Sequence, residues 1–230
     1  MLSVIIPTIQ KKMKVLAKLV NILKKDVCVS EILIINNLPE KPINLNIFSQ
    51  EELDKVNIIN PTSNLFVNGS WNYGLQICKN NNFALFNDDL LICEGFCSAV
   101  VNSEIFNKKN TGLLGLDTRS IEEFPFETED LDFPNGNVSE ISFSQQDRHM
   151  GTGNWGSAIF GKRQNYYSIP KDIKVIYGDN FLLYCNKKLG KINYKIGGMK
   201  VYHIGSSSSR ASEVSNVVAA DIKNSKKYLK

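Results

Sequence analysis

The chain has 230 residues, of which 43% are hydrophobic and 22% are charged, and its formal net charge is +4. This composition is typical of a soluble globular protein with a proper core. The mildly basic balance permits an anionic substrate and gives no indication of a nucleic-acid partner. No apolar run approaches the roughly 20 residues of a membrane-spanning helix, so no such helix is expected.

The cysteines and the two ends of the chain bear on its location. There are five cysteines and no C-x-x-C pair, and the odd count favours free thiols in a reducing compartment. The opening MLSVIIPT lacks a charged leader and a cleavage-type end, so we expect a cytoplasmic protein. The basic end KNSKKYLK allows peripheral membrane contact, although a solvated helix end is the simpler interpretation.

Strand-like and helix-like segments alternate along the first half of the chain. Short β-rich runs predict strands over residues 2–6, 31–35, 56–59 and 83–86. Apolar residues at helical spacing predict a helix from Met13 to Leu23, and further helices are expected over 72–79 and 95–106. This alternation indicates an α/β fold with a mostly parallel central sheet flanked by helices.

The second half is less regular. Residues 107–147 are acidic and aromatic, and they predict an irregular insertion, either a solvated loop or an acceptor-binding lid. Order returns with SAIFGKR and KVIYGDNFLLY, which supply strand and helix material. KINYKIGGMKVYHIG predicts a hairpin or two strands around Gly197–Gly198, and Ser212 is a candidate N-cap of a final helix.

Polar side chains follow the predicted strands. Thr8 comes after the first strand, Asn36 and Asn37 after the second, and Asp88 and Asp89 after the fourth. In parallel sheets, ligands bind outside the carboxyl ends of the strands. The sequence therefore predicts a ligand site where these side chains converge.

The stretch FALFNDDLLI places Asp88 and Asp89 directly after an apolar run. Two buried carboxylates are costly unless something cationic meets them. Carboxylate oxygens suit Mg²⁺ or Mn²⁺, usually with a substrate phosphate completing the shell. A solvated turn is equally compatible with these residues taken alone.

Several other motifs fail their context. GTGNWG, which follows His149, has the spelling G-x-G-x-x-G, but it does not follow a predicted strand within a βαβ unit. No G-x-S-x-G elbow and no Walker-type phosphate loop occur, and the two histidines are too far apart for H-E-x-x-H. These observations argue against a dinucleotide site, a serine hydrolase, a P-loop enzyme and a metalloprotease.

The remaining motifs occur in the order found in family 2-type GT-A glycosyltransferases. NPTSNLFVNGSWNYGLQICKNNNFALFNDD resembles the family's N-x-G-x-x-x-x-x-N-x-G run, strand and N-D-D. SVIIPT and EILIINN resemble its first two strands. YGDNFLLY resembles its G-E-D-x-D-L helix start, and VYHIGSSSSR resembles its late H-x-x-x-S motif. The resemblance covers most of the chain outside about residues 107–147.

The resemblance implies a single GT-A-like domain. Its Rossmann-like, nucleotide-sugar-binding half would span 1–106 and its acceptor-binding half 148–230, separated by the insertion at 107–147. The implied reaction is a metal-assisted, inverting transfer of a hexosyl group from a UDP-, dTDP- or GDP-linked sugar, with Mn²⁺ or Mg²⁺ as cofactor. The implied acceptor is a hydroxyl of a glycan, a lipid-linked molecule or a protein, as in polysaccharide biosynthesis.

The same resemblance implies roles for individual residues. Asp179 would be the catalytic base, with helix capping as the structural alternative. Asp89 and His203 would bind the metal, and a satisfied structural histidine is the alternative for His203. The implied contacts of the nucleotide-sugar are Pro7, Thr8, Asn36, Asn37, Asn64, Asn68, Asn72, Asn87, Asp88, Trp155 and Arg210.

Some positions depart from the family or have a plain structural alternative. The family usually has Asp where this chain has Asn36 and Asn37, which puts the base identity in doubt and leaves a simple turn as the alternative. Trp155 would stack on a sugar or be a core aromatic. Arg210 would bind phosphate oxygens or lie in a flexible loop.

Two other functions are compatible with such a scaffold. A sugar-phosphate nucleotidyltransferase usually carries a glycine-rich phosphate loop after the first strand, and PTIQKKMK has lysines but no glycine there. A non-catalytic nucleotide-sugar-binding module is left open by the Asn36–Asn37 departure. Turnover of a donor would separate that module from an enzyme.

Overall fold

The computed structural model describes residues 1–48, 54–125, 127–128, 130–205 and 214–230, except the side chain of Asn154. The strands are β1 (Leu2–Thr8), β2 (Val29–Asn36), β3 (Val56–Ile59), β4 (Asn82–Phe86), β5 (Leu90–Leu91), β6 (Thr111–Leu116), β7 (Ile121–Phe124), β8 (Ser142–Gln145), β9 (Ala158–Lys162), β10 (Ile192–Gly197) and β11 (Val201–Ile204). The α-helices are α1 (Met13–Lys25), α2 (Phe66–Ile77), α3 (Phe96–Val101), α4 (Glu104–Asn107), α5 (Gly178–Lys188) and α6 (Ser215–Ser225).

The strands form one large and one small sheet. The large sheet has the order β3-β2-β1-β4-β9-β6-β10-β8. Its β1–β2, β2–β3, β1–β4 and β6–β10 pairs are parallel, whereas β9 is antiparallel to both neighbours and β8 is antiparallel to β10. The small sheet has the order β5-β11-β7. The mostly parallel α/β architecture predicted from the sequence is confirmed.

Strand β1, near the middle of the large sheet, is buried on both faces. All seven residues of β1 are buried. Val4 and Ile6 pack in a core that includes side chains of α1 and α3, while Ile5 packs in a second core that includes side chains of α2 and α5. Burial on both faces explains why β1 and β2 have nearly continuous apolar sequences. Because β1 pairs in parallel with both β2 and β4, the carboxyl ends of these three strands lie at one edge of the sheet.

The prediction that residues 107–147 are irregular is wrong. They contain β6, β7 and β8, and all six residues of β6 are buried between β9 and β10. The sequence TGLLGL hides this strand because glycine normally weakens a strand. Gly115 is required there, since a Cβ would lie 2.3 Å from ring carbons of Trp155.

The entry to α2 also differs from the prediction. The helix begins at Phe66, not at residue 72. Phe66 has φ of +58°, in the left-handed region, and its N–H donates to Oδ1 of Asn64 at 2.7 Å. The helix therefore starts with a left-handed residue, six positions before the predicted start.

Two further predictions concern where helices and strands end. The helical stretch expected over 95–106 is two helices, and Ser103 separates them by accepting the Phe106 N–H at 3.1 Å. The segment around Gly197–Gly198 does form two strands, but β10 and β11 belong to different sheets. Gly198 has φ of +81°. Ser212 and Arg210 lie outside the described residues.

Two expectations concern the state of the cysteines and the presence of a membrane-spanning helix. All five cysteines are unpaired thiols, as predicted. In the described ranges, no helix combines the length and apolar character needed to cross a bilayer.

Two glycine substitutions test the packing of β6. Gly115→Ala should cost about 1–3 kcal/mol of the free energy of unfolding, because its methyl group overlaps the ring and the carbonyl oxygen of Trp155. Gly69→Ala is the matched control in α2, where a Cβ meets only Leu65 Cβ at 3.4 Å. It should gain about 0.5–1 kcal/mol from helix propensity. Urea unfolding measures both, and an unchanged midpoint for Gly115→Ala would contradict the packing.

Candidate active site

Two carboxylates lie at the carboxyl end of β4. Asp88 and Asp89 are 5% and 4% exposed. Thr8, which ends β1, donates its hydroxyl to Oδ2 of Asp88 at 2.6 Å. Burial, together with the charge of Asp89, raises the pKa of Asp88 to about 7. The pair is therefore held in a low-dielectric site, where a bound cation has a strong effect.

The small sheet brings His203 to this carboxylate pair. In the register of that sheet, His203 on β11 lies opposite Leu90 of β5 and Glu123 of β7. The Ile204 N–H donates to the backbone oxygen of Asp89 at 2.9 Å. As a result, Nε2 of His203 lies 3.4 Å from Oδ1 of Asp89, and Nδ1 lies 2.8 Å from Oε2 of Glu123.

The imidazole sits between two acceptors. Burial lowers the pKa of His203, but the hydrogen bonds and charges of Asp89 and Glu123 outweigh it and raise the pKa to about 9. Oδ1 of Asp89 is buried, and its 3.4 Å contact with Nε2 of His203 is longer than an ordinary hydrogen bond.

These two groups fit a divalent metal ion. When Nδ1 donates its proton to Glu123, the neutral ring presents the Nε2 lone pair towards Asp89, and a carboxylate behind a ligating histidine is the usual supporting arrangement. Across the described part of the chain, no three His, Cys, Asp or Glu side chains converge as a complete metal cluster. Such an ion would complete its shell with water and substrate phosphate oxygens, as Mg²⁺ commonly does.

A cavity of about 440 Å³ opens in front of the carboxylates. Its lining also includes the loop at residues 150–153, Gly156 and the segment that leads into α5. The residues that line it include Pro7, Trp71, Asn87, Asp88, Asp89, Met150, Thr152, Ser157, Tyr177, Asp179 and His203. One cavity therefore brings the Asp88–Asp89 pair together with Asp179 and His203, which are distant from it in the sequence.

Asp179 lies in the first turn of α5. Burial raises the pKa of Asp179, while the backbone N–H groups of Asn180 and Asp179 and the Thr152 hydroxyl oppose that rise. The Thr152 hydroxyl lies 3.5 Å from Oδ2. A Cβ at Gly156 would lie 2.8 Å from the same oxygen, so glycine is what lets the loop approach. The helix is entered through Tyr177 with φ of +65°, so Asp179 is not its N-cap residue.

The structure uses the amide of Asn36 within the protein. Its Nδ2 donates to the backbone oxygen of Lys41 at 2.9 Å and to Oδ1 of Asn60 at 3.0 Å. Its Oδ1 accepts from the side chain of Gln10 and from the Leu38 N–H. All four hydrogen-bonding positions of this buried amide are filled. Asn36 has no position left for a nucleobase in this arrangement.

Asn37 is used in the same way. Its Nδ2 donates to the backbone oxygen of Phe66 and to the Ser70 hydroxyl, at 3.3 and 2.9 Å. Its Oδ1 accepts the Leu65 N–H at 3.0 Å. This buried amide fixes the first turn of α2 to the end of β2.

The other asparagines predicted to contact the nucleotide-sugar lie elsewhere. Asn64 and Asn72 line a separate groove of about 800 Å³ beside α2. Asn72 bonds to the backbone of Ile169 and to the Tyr166 hydroxyl. Asn68 is buried and donates to backbone oxygens of Ile173 and Ile176. The structure does not bring these three residues into the cavity of Asp88 and Asp89.

The assignment of Trp155 to sugar stacking is wrong. Its ring is 0% exposed and its Nε1–H donates to the backbone oxygen of Tyr194 at 3.0 Å. It is the core aromatic that covers Gly115 of β6. Pro7 and Asn87, in contrast, do line the cavity. Arg210 lies outside the described residues.

The sequence-based interpretation missed several residues of the site. Glu123 was hidden in the stretch taken as an insertion, although IEEF between polar residues is a possible short strand. Trp71, Met150 and Tyr177 line the cavity but carry no motif of their own. Gly151 and Thr152, which belong to the GTGNWG stretch, also line the cavity.

Comparison with known proteins identifies the fold. No protein family model and no curated protein sequence matches the chain. GalNAc-T7, solved with UDP, GalNAc and Mn²⁺, matches 89% of this chain at 13% identity, with a TM-score of 0.64. The mannosyltransferase PcManGT of Pyrobaculum calidifontis, solved with GDP-Man and Mn²⁺, matches 98% at 10% identity, with a TM-score of 0.60.

The chain has the GT-A fold. TarS of S. aureus, residues 1–349, gives a third match over 97% of this chain, at 14% identity and a TM-score of 0.57. The chain spans only 44%, 65% and 64% of the lengths of GalNAc-T7, TarS and PcManGT. The GT-A architecture expected from the short motifs is confirmed, and at these identities the matches speak for the fold alone.

The pairing of His203 makes a prediction for its titration. In metal-free protein, His203 should remain protonated until the pH approaches about 9, whereas burial and Lys187 lower the pKa of His149. Because the folded pKa of His203 exceeds its ordinary value of 6.5, its contribution to stability is complete below pH 6.5. That contribution is lost as the pH rises through about 9. NMR titration of the two imidazoles measures both pKa values.

Glu123→Gln is the matching variant. It should lower the pKa of His203, because it removes one of the two charges that raise it, and leave His149 unchanged. A wild-type His203 that titrates at or below 6.5 would contradict the described pairing with Asp89 and Glu123.

Proposed function

We propose that the chain is an inverting glycosyltransferase that moves a hexosyl group from a nucleoside diphosphate-sugar to an acceptor hydroxyl. One observation carries the proposal. A single cavity joins the Asp89–His203 pair, backed by Glu123, with Asp179 in the first turn of α5. The first group suits a cation and a diphosphate, and Asp179 suits a proton transfer on the other side.

The donor would lie over the carboxyl ends of β1 and β4. Pro7, Asn87 and Asp88 line the cavity there, and Thr8 orients Asp88 through its hydroxyl. Asp89 and His203 would hold Mn²⁺ or Mg²⁺. When bound, such an ion neutralises the charge that develops on a departing diphosphate. Since the amides of Asn36 and Asn37 are occupied, the base would be read by other groups or after those amides exchange partners.

Asp179 would be the general base. The acceptor oxygen would attack the anomeric carbon from the face opposite the diphosphate, a carbon–oxygen bond would form, and the bond to the diphosphate would break. The acceptor proton would pass to the Asp179 carboxylate. A raised pKa makes the ionised carboxylate a stronger base than an exposed aspartate, while Thr152 and the helix N–H groups keep it oriented.

The matched structures support a nucleotide-sugar donor and a divalent metal ion. GalNAc-T7 was solved with UDP, GalNAc and Mn²⁺, and PcManGT with GDP-Man and Mn²⁺. We extend this to a UDP-, dTDP- or GDP-linked donor for this chain. The division into a donor half over 1–106 and an acceptor half over 148–230 is part of the same proposal.

The acceptor and the cellular role stay predictions. A glycan, a lipid-linked molecule or a protein would each offer a hydroxyl, as in polysaccharide biosynthesis. A cytoplasmic site with peripheral membrane contact through the basic end is compatible with Lys223, Lys226 and Lys230 of and after α6. Lys227 is already paired with Asp172 at 3.0 Å.

The donor is tested first by ligand-induced stabilisation. UDP, dTDP, GDP and CDP are each added with and without Mn²⁺, and the thermal midpoint is recorded. At about 100 times Kd, binding adds about 2.7 kcal/mol, which should raise Tm by roughly 5–10 °C for a domain of this size. The shift should require Mn²⁺ and should be lost in Asp89→Asn. A Mn²⁺-independent shift of the same size in both proteins would remove Asp89 from this role.

The base is tested by the pH dependence of transfer. Asp179→Asn should lower the transfer rate about 10²–10⁴-fold without weakening binding of the nucleoside diphosphate. In wild type, the rate should fall as the pH drops through the raised pKa of Asp179, because only the carboxylate accepts the proton. Glu104→Gln removes an exposed carboxylate of α4 as a control. Wild-type transfer by Asp179→Asn would contradict the assignment.

A further inference from the structure

An irregular segment that leads into α5 forms part of the cavity lining. Val175, Ile176 and Tyr177 line the cavity and lead directly into α5 and Asp179. These residues belong to neither a helix nor a strand. Tyr177 has φ of +65°, which is strained for a residue with a side chain. We therefore expect contacts from outside the segment to hold this backbone conformation.

Asp221 of α6 meets this segment with its carboxylate. Oδ1 accepts the Lys174 N–H at 2.8 Å, and Oδ2 accepts the Val175 and Ile176 N–H groups at 2.7 and 3.0 Å. Asp221 is 0% exposed. Successive backbone N–H groups that converge on one point form an anion-binding concavity. Here the chain fills that concavity with its own buried carboxylate.

Helix α2 holds the other side of the same segment. The Asn68 N–H donates to the backbone oxygen of Lys174 at 2.9 Å, and its Nδ2 donates to those of Ile173 and Ile176 at 3.1 and 3.4 Å. A Cβ on Gly178 would lie 2.0 Å from Oδ1 of Asn68. The N–H groups of the segment thus point to α6 and its carbonyl groups to α2.

We propose that Asp221 is a positioning residue that fixes residues 174–177 as the acceptor-side wall and sets the position of Asp179. The proposal rests on the glycosyltransferase function proposed above. The hydrogen bonds of Asp221 go to the backbone of residues 174–176, whereas Asp88 is held by Thr8, so Asp221 should act on the acceptor side alone. A displacement of about 1 Å at a reacting group costs about 10²-fold in rate.

The test is Asp221→Asn, which keeps the size of the side chain but replaces one acceptor oxygen with a donor. Hydrogen exchange followed by mass spectrometry should show the amides of 174–176 exchanging at least about tenfold faster, since each loses a charged acceptor. Transfer should fall about 10²-fold with a raised KM for the acceptor. The Kd for the nucleoside diphosphate should stay at the wild-type value.

Asp172→Asn is the matched control at the same interface. Asp172 pairs with Lys227 and Tyr228 of the chain end, so the variant also removes a carboxylate between α6 and this segment. It leaves the three N–H bonds to Asp221 intact. It should change neither the exchange of 174–176 nor the acceptor KM.

The outcomes separate the two proposals. Wild-type exchange of 174–176 in Asp221→Asn overturns the positioning role, as does an equal loss of donor and acceptor binding. No transfer by wild type or variant would contradict the glycosyltransferase function, while the exchange rates would still decide whether Asp221 fixes the wall. If Asp221→Asn does not fold, Asn68→Ala frees carbonyl groups of the same wall from α2 and should likewise raise the acceptor KM without changing the Kd for the nucleoside diphosphate.

Discussion

The structure depends on placing buried carboxylates at the end of β4. Asp88 and Asp89 are removed from water, which costs several kcal/mol per charge unless the charge is compensated. The hydroxyl of Thr8 compensates Asp88, and the ring of His203 faces Asp89. The small sheet of β5, β11 and β7 places this ring beside Asp89. Its register sets His203 between Asp89 and Glu123, so the second sheet is as much a part of the site as the strand ends of the first.

Much of this architecture was predictable from the sequence because the responsible signals are local. The four strands of the first half are short apolar runs, and the carboxylates follow one of them directly. His203 was predictable only because short motifs resemble a family in their order. Glu123 was not predictable, because its role depends on a parallel pairing between β7 and β11, which are 80 residues apart. Pairing over that distance leaves no periodic signal in either strand.

Asparagine explains most of the incorrect assignments. An amide both donates and accepts, so its side chain suits a nucleobase and a backbone turn equally well. Asn36, Asn37, Asn68 and Asn72 all bond within the protein, where they join segments that lack regular hydrogen bonding. Trp155 shows the same ambiguity for an aromatic ring, and Gly115 decides it, since only a residue without a side chain leaves room for that ring. The sequence shows which residue type occupies a position, but the residues that face it in the fold decide the role of its side chain.

The two walls of the cavity are built by different means, and this difference bears on how the site would work. The carboxylate wall is the end of paired strands, where each backbone position is fixed by a ladder of hydrogen bonds. The other wall is an irregular segment whose N–H groups bond to one helix and whose carbonyl groups bond to another. A nucleoside diphosphate is common to many donors, so a rigid surface suits it. Acceptors differ between enzymes, and a wall held by a few side chains can be altered without disturbing the sheet that holds the carboxylates.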